Sequence, residues 1–190
     1  MIFRLVAVFC SFLSLPAVAD DRVSAQQEQA SKEILQTIVA LDVPRYMGTW
    51  YEAAKFPNWF QRKCAGYTRA EYRLQEDGKV QVINRCKLQS GEISEAIGAA
   101  RQIGGASSPK LEVRFAPAWL SFIPAVWGDY WVIDIDDSYQ LVAVSEPSRR
   151  YLWVLSRSAQ VNAKSYEDLL RRLAAKGFDI HKLEVTRQAD

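Results

Sequence analysis

Histidine is nearly missing from this 190-residue chain, where His181 is the only one. A metal site built from several imidazoles, or a relay of two histidines, is therefore excluded within one chain. Neither sign of charge is in excess: 24 basic residues stand against 22 acidic ones, a formal net charge of +2. Lys and Arg never run longer than pairs such as Arg149-Arg150 and Arg171-Arg172, so the electrostatic footprint of nucleic-acid binding is absent. After Leu15 there is no long apolar run that could cross ~30 Å of hydrocarbon as a helix. What remains, 49% apolar and 24% charged residues, suits one ordinary globular domain and excludes disordered, collagen-like and coiled-coil chains.

Residues 1–19 hold one cation, Arg4, then an apolar run from Leu5 to Leu15, then Pro16-Ala17-Val18-Ala19. This order of charge, grease and small residues reads as a secretory leader cleaved before Asp20. Cys10 raises the alternative of a lipidated first mature residue, but the bulky Phe9 occupies the preceding position where a small residue is required. Residues 20–42 read as an N-terminal arm. Within it, Ala30, Ile34, Ile38 and Leu41 recur at helical spacing over 24–41, which predicts a short amphipathic helix.

Beyond Pro44 the apolar period changes from 3.6 to 2, and turn signals recur about every ten residues. Strands are predicted at 50–56, 67–74, 79–88, 93–103, 110–115, 129–135, 139–145 and 151–157, with Asp77-Gly78 as a two-residue hairpin turn between the second and third. The short connections make the set antiparallel. Tyr166, Leu169, Leu170 and Leu173 form a helical stripe over 165–176, stopped by Gly177. A short final strand is predicted over 180–186. Eight such strands either close into a barrel or stack as a sandwich; closure removes exposed edges and leaves room for one small ligand.

Gly48-Thr49-Trp50-Tyr51 at the start of the first strand, Asp137-Ser138-Tyr139 at the sixth turn and Leu155-Ser156-Arg157 at the end of the eighth resemble the three signature regions of the lipocalins. Within that family, residues 48–56, 72–85 and 151–157 resemble the bacterial lipocalin and apolipoprotein D branch, and the likeness runs from about Val43 to Thr186. It implies an all-β fold over residues 43–190: an eight-stranded antiparallel up-and-down β-barrel with a C-terminal helix packed outside. The physical reading agrees. Trp50 begins strand one and Arg157 ends strand eight, so closure would lay the guanidinium across the indole and plug one end of the barrel, with Gly48 beside them.

If strand one starts at the closed end, the loops at 57–66, 89–92, 116–128 and 147–150 surround the mouth. The third holds one polar side chain and reads as a greasy lip or lid carrying Trp119 and Phe122. Alternation along the strands turns Glu52, Ala54, Phe56, Tyr72, Asn84, Phe115, Tyr130 and Trp153 inward. With Trp119 and Phe122 these make ten candidate ligand contacts. Arg62, Lys63, Arg85, Lys87, Arg149 and Arg150 map to the mouth and form a candidate rim for the phosphate or carboxylate of an amphiphile.

Cys64 and Cys86 are the pair left after leader cleavage, and export favours a disulfide between them. A two-residue turn at Asp77-Gly78 would place Cys86 opposite residue 69, roughly 16 Å of extended chain from Cys64. On that register the first loop must fold back over strand three.

The resemblance implies a periplasmic carrier or scavenger of a hydrophobic or amphiphilic molecule, a fatty acid or lysophospholipid first, with no cofactor, no metal and no catalysis. Association with the outer membrane is compatible with it. One alternative is a protein- or membrane-interaction module using the 116–128 loop; another is a lipid-modifying enzyme on the same barrel, although His181 falls outside the barrel and the cysteines are tied up. Asp134, Asp136 and Asp137 read as a turn, since no calcium loop follows. The sequence specifies no oligomeric state.

Overall fold

A computed structural model describes residues 34–188. The expected leader, Cys10 and the expected helix up to residue 33 lie outside the described residues. Residues 34–41 are not helical. Their backbone bonds to the rest of the fold instead: Ile38 N donates to Val132 O at 3.1 Å and Leu41 N to Ser107 O at 2.8 Å. The predicted stripe is also broken, because Ile34 is exposed while Leu35, one position off it, is buried. Partners elsewhere in the sheet satisfy this backbone, and a helix would forgo them.

A single helical turn, α1 (Val43–Tyr46), follows, with Asp42 capping it by accepting from Arg45 N at 3.1 Å. The strands are β1 (Gly48–Lys55), β2 (Cys64–Leu74), β3 (Val80–Leu88), β4 (Ile93–Gln102), β5 (Lys110–Arg114), β6 (Gly128–Ile135), β7 (Leu141–Ser145) and β8 (Leu152–Ser156). Each pairs antiparallel with the next, and β1 pairs with both β2 and β8, so the sheet closes on itself. The chain is an eight-stranded antiparallel barrel with a helix outside, α2 (Ala163–Ala175).

Two expectations about local structure are corrected. The β2–β3 turn has a three-residue loop: Gln75 N bonds to Lys79 O at 2.8 Å, and Gly78 supplies a φ of +76°. This is a type I turn closed by a glycine bulge, which Asp-Gly serves as readily as a two-residue turn. Of the final strand over 180–186, only β9 (Glu184–Val185) pairs, against Ala54 and Lys55 of β1; Ile180–Lys182 is a 3₁₀ turn capped by Asp179.

Two apolar clusters hold the fold together. One fills the closed end of the barrel, where Leu41, Val43 and Tyr46 pack against Trp50, Tyr72, Val82, Val132, Val144 and Leu155. The other lies between the barrel wall and α2, joining Ala54, Phe56, Ile133, Leu152 and Val154 to Leu169, Leu173 and Phe178. Because α2 covers β7 and β8 from outside, β7 is buried on both faces and shows no alternation. Asn162 caps α2, and Arg172 ties it to the barrel through two 2.9 Å bonds to Asp134.

Candidate functional site

The closed end is sealed by Trp50, which has no exposed surface. Arg157 Cζ lies 4.0 Å from the indole centroid, its two terminal nitrogens donate to Thr49 O at 3.0 Å and Arg45 O at 2.9 Å, and Trp50 Nε1 donates to Tyr46 O at 2.8 Å. Only glycine suits position 48: its φ is +95°, and a Cβ there would stand 3.2 Å from Arg157 Nη1.

Above this plug is a cavity of about 890 Å³ that opens at the loop end. Of the ten side chains expected to face a ligand, Glu52, Tyr72, Asn84, Phe115, Tyr130 and Trp153 line it. Ala54 and Phe56 do not. β1 pairs Glu52 with Leu155 but Ala54 with Val154, so one extra residue bulges between them and reverses the side-chain phase. Ala54 and Phe56 consequently pack outside, with the Phe56 ring 6.2 Å from that of Phe178 under α2. Trp119 and Phe122 also miss the wall, being 72% and 76% exposed. Two 3₁₀ turns, Ala118–Leu120 and Pro124–Val126, fold the lip so that Ala116, Ala125, Val126 and Trp127 line the cavity instead. Trp127 is held there by its Nε1 bond to Ser121 O at 2.8 Å and by Arg101, 4.1 Å over its ring.

Sequence periodicity also passes over Tyr46, Phe60 and Gln61, all in the cavity wall. Tyr46 precedes the first strand and Phe60 and Gln61 lie in the first loop, where no period-2 count applies. Tyr46, Tyr72 and Tyr130 meet through their hydroxyls, at 2.7 Å for Tyr46 to Tyr130 and 3.0 Å for Tyr72 to Tyr130. Burial pushes Tyr72 up to about 12 and the other two well above the usual phenol value, so all three are neutral at physiological pH.

Glu52 is a buried carboxylate on this wall, 2% exposed. It accepts from Thr186 Oγ1 and from Gln61 Nε2, both at 2.6 Å, and Gln61 Oε1 in turn accepts from Trp153 Nε1 at 3.0 Å. Desolvation raises the Glu52 pKa against these bonds, which lower it. Gln188 Nε2 donates to Glu52 O at 2.8 Å and Thr68 O at 2.7 Å, stitching the C-terminal segment across the seam between β1 and β2.

Cys64 and Cys86 form a disulfide across this wall, with Cα atoms 5.6 Å apart. The first loop does not fold back over β3 to make it. Register shifts in β2 align Arg69 with Arg85 but Cys64 with Leu88, so five steps on β2 match three on β3 and carry Cys64 to its partner.

The cationic rim is smaller than expected. Lys63, Arg85 and Arg150 line the cavity, joined by Arg69, the cross-strand partner of Arg85. Arg85 is paired with Glu71 at 3.0 Å and Glu95 at 2.7 Å. Arg62, Lys87 and Arg149 are not part of the wall. Lys87 lies 4.8 Å over the Tyr67 ring, and Arg149 turns towards α2, donating to Lys176 O at 3.1 Å. Away from the cavity, Asp136 shapes the β6–β7 turn by accepting from Gln140 N at 2.7 Å and Leu141 N at 2.6 Å. The cavity wall contains no histidine, and its two cysteines are bonded to each other. Such a wall suits binding by apolar burial, with a few polar groups to orient what is bound.

The family model described as "Lipocalin-like domain" matches residues 41–188. Temperature-induced lipocalin-1 of Arabidopsis thaliana is 42% identical over 161 residues, covering 84% of this chain and 86% of that protein. Outer membrane lipoprotein Blc of Vibrio cholerae is 32% identical over 158 residues (82% and 88%). Apolipoprotein D of Macaca fascicularis is 30% identical over 154 residues (77% of each). Among solved structures, insecticyanin of the tobacco hornworm Manduca sexta superposes with a TM-score of 0.64 at 19% identity, covering 83% of this chain and 86% of that one. That last likeness speaks to the fold alone.

Proposed function

The chain belongs to the lipocalin family, whose members bind hydrophobic ligands, and on that premise we propose that it carries or scavenges a fatty acid or lysophospholipid in its barrel. The observation that carries this reading is a cavity of about 890 Å³, plugged at one end by Trp50 and open at the other, with aliphatic and aromatic side chains along its length. A ligand enters because each methylene taken out of water contributes about 0.8 kcal/mol. No bond need be made or broken.

The polar end of the amphiphile rests at the mouth, where Lys63, Arg69 and Arg150 replace the wider rim expected from the sequence. Loading takes place at a membrane surface. Trp59, Trp119 and Phe122, each at least 69% exposed, sit in loops at the mouth, and such rings favour the headgroup region of a bilayer. Among the described residues no helix is long and apolar enough to cross a membrane. With the leader read at residues 1–19 and a relative named as an outer membrane lipoprotein, the protein works in the periplasm against the outer membrane, as a barrel domain over residues 43–190.

Native mass spectrometry of protein purified from the envelope, followed by lipid extraction, tests this. The expected result is one acyl lipid per barrel, displaced by added lysophospholipid more weakly as salt is raised. A barrel that neither retains nor binds any acyl chain would refute it.

A further inference from the structure

The three tyrosine hydroxyls at the deep end of the cavity do not balance. Each phenol has one proton to donate, and the two bonds among Tyr46, Tyr130 and Tyr72 use two of the three. Whichever way the chain of bonds runs, one proton is left over. Among the described residues no other acceptor is bonded to any of the three hydroxyls. The rings are fixed in place: Tyr46 stacks on Tyr72 with centroids 5.6 Å apart and packs on Trp50 at 5.0 Å. The surplus donor is thus a preorganised group at the deep end of the pocket.

We propose that this donor is a docking point for a neutral carbonyl oxygen, so that the preferred ligand carries a ketone, aldehyde or ester at the end that enters first. The inference rests on the carrier reading and deepens it. A carboxylate is disfavoured at this depth because it would be buried without a counter-charge. The cations in the cavity wall belong to the first loop, the seam of β2 with β3 and the last mouth loop, whereas Arg157 lies beyond the Trp50 ring and is bonded to two backbone carbonyls. A plain hydrocarbon tail gives the proton no acceptor and displaces any water that could serve as one, which weakens binding.

The test compares two probes of equal length, a saturated fatty acid and the same acid carrying a ketone beside its terminal methyl. Both displace a fluorescent fatty acid from the intact protein. The oxo acid is expected to bind roughly three- to tenfold more tightly, with the infrared band of its isotopically labelled ketone shifted to lower wavenumber than in alkane solvent. Tyr46→Phe/Tyr72→Phe/Tyr130→Phe removes all three protons and should bring the affinity ratio to one. Tyr130→Phe alone should keep the preference, because it leaves two unlinked hydroxyls, each with a proton to give. Should the triple variant fail to fold, the wild-type band and Tyr130→Phe still decide. Equal affinities with an unshifted ketone band overturn the inference and leave the carrier reading standing. If neither acid binds, the carrier reading fails first.

Discussion

Arg157→Ala removes three interactions at one point. The stacking on Trp50 at 4.0 Å is worth about 0.5–2 kcal/mol, towards the upper part because the indole is wholly buried. The bonds to Thr49 O and Arg45 O add about 1 kcal/mol each, no more, since the second is exposed and water can replace the donor. The sum is about 2–4 kcal/mol, a large share of the 5–15 kcal/mol typical of a domain. Arg157→Lys keeps the charge but loses the planar fork and its stacking, so it should retain only about half of that stabilisation. Urea unfolding of the three proteins, compared at equal m-values, measures both losses. A loss below about 0.5 kcal/mol for alanine, or a lysine variant as stable as wild type, would show that the plug is decorative and that closure rests on the sheet alone.

Glu52→Gln should reshape the dependence of stability on pH. Burial raises the carboxyl above its ordinary value of 4.5. A carboxyl with a raised folded pKa contributes its stability below the unfolded value and loses it as pH climbs through the folded one. Wild type should therefore weaken relative to Glu52→Gln as pH rises above about 4.5, and the two thermal profiles should converge in acid; parallel profiles would absolve Glu52. Ala54→Leu should destabilise by about 1–3 kcal/mol, because Ala54 is fully buried in the cluster beneath α2, while leaving acyl-chain affinity little changed. Weakened ligand binding at unchanged stability would place Ala54 in the cavity and contradict the bulge in β1.

The barrel was legible because period-2 alternation, Asp77-Gly78 and three short motifs are local signals, each carried by neighbours in the chain. Part of the wall was legible for the same reason: Tyr72, Asn84, Phe115 and Trp153 follow from counting along their own strands. The count failed at Ala54 and Phe56. A bulge adds one residue to one strand, and Glu52-Ala53-Ala54 contains no residue type that marks it. It failed for the arm as well, where Ile34 and Ile38 keep helical spacing while the backbone bonds to Val132 and Ser107 instead.

The sequence by itself determined eight antiparallel strands with alternating faces and an outer helix, because alternation and turn chemistry act over a few residues at a time; closure of the sheet was implied by the three motifs that resemble the lipocalins. The tertiary structure decided which of the remaining side chains line the cavity. Register shifts in β1 and β2 choose the phase of the residues beyond them, a ring contact and a bond to α2 hold Lys87 and Arg149 off the cavity wall, and the hydroxyl chain joins residues 84 and 58 positions apart. Such contacts arise only when distant segments share space, and no pattern of neighbours along the chain encodes them.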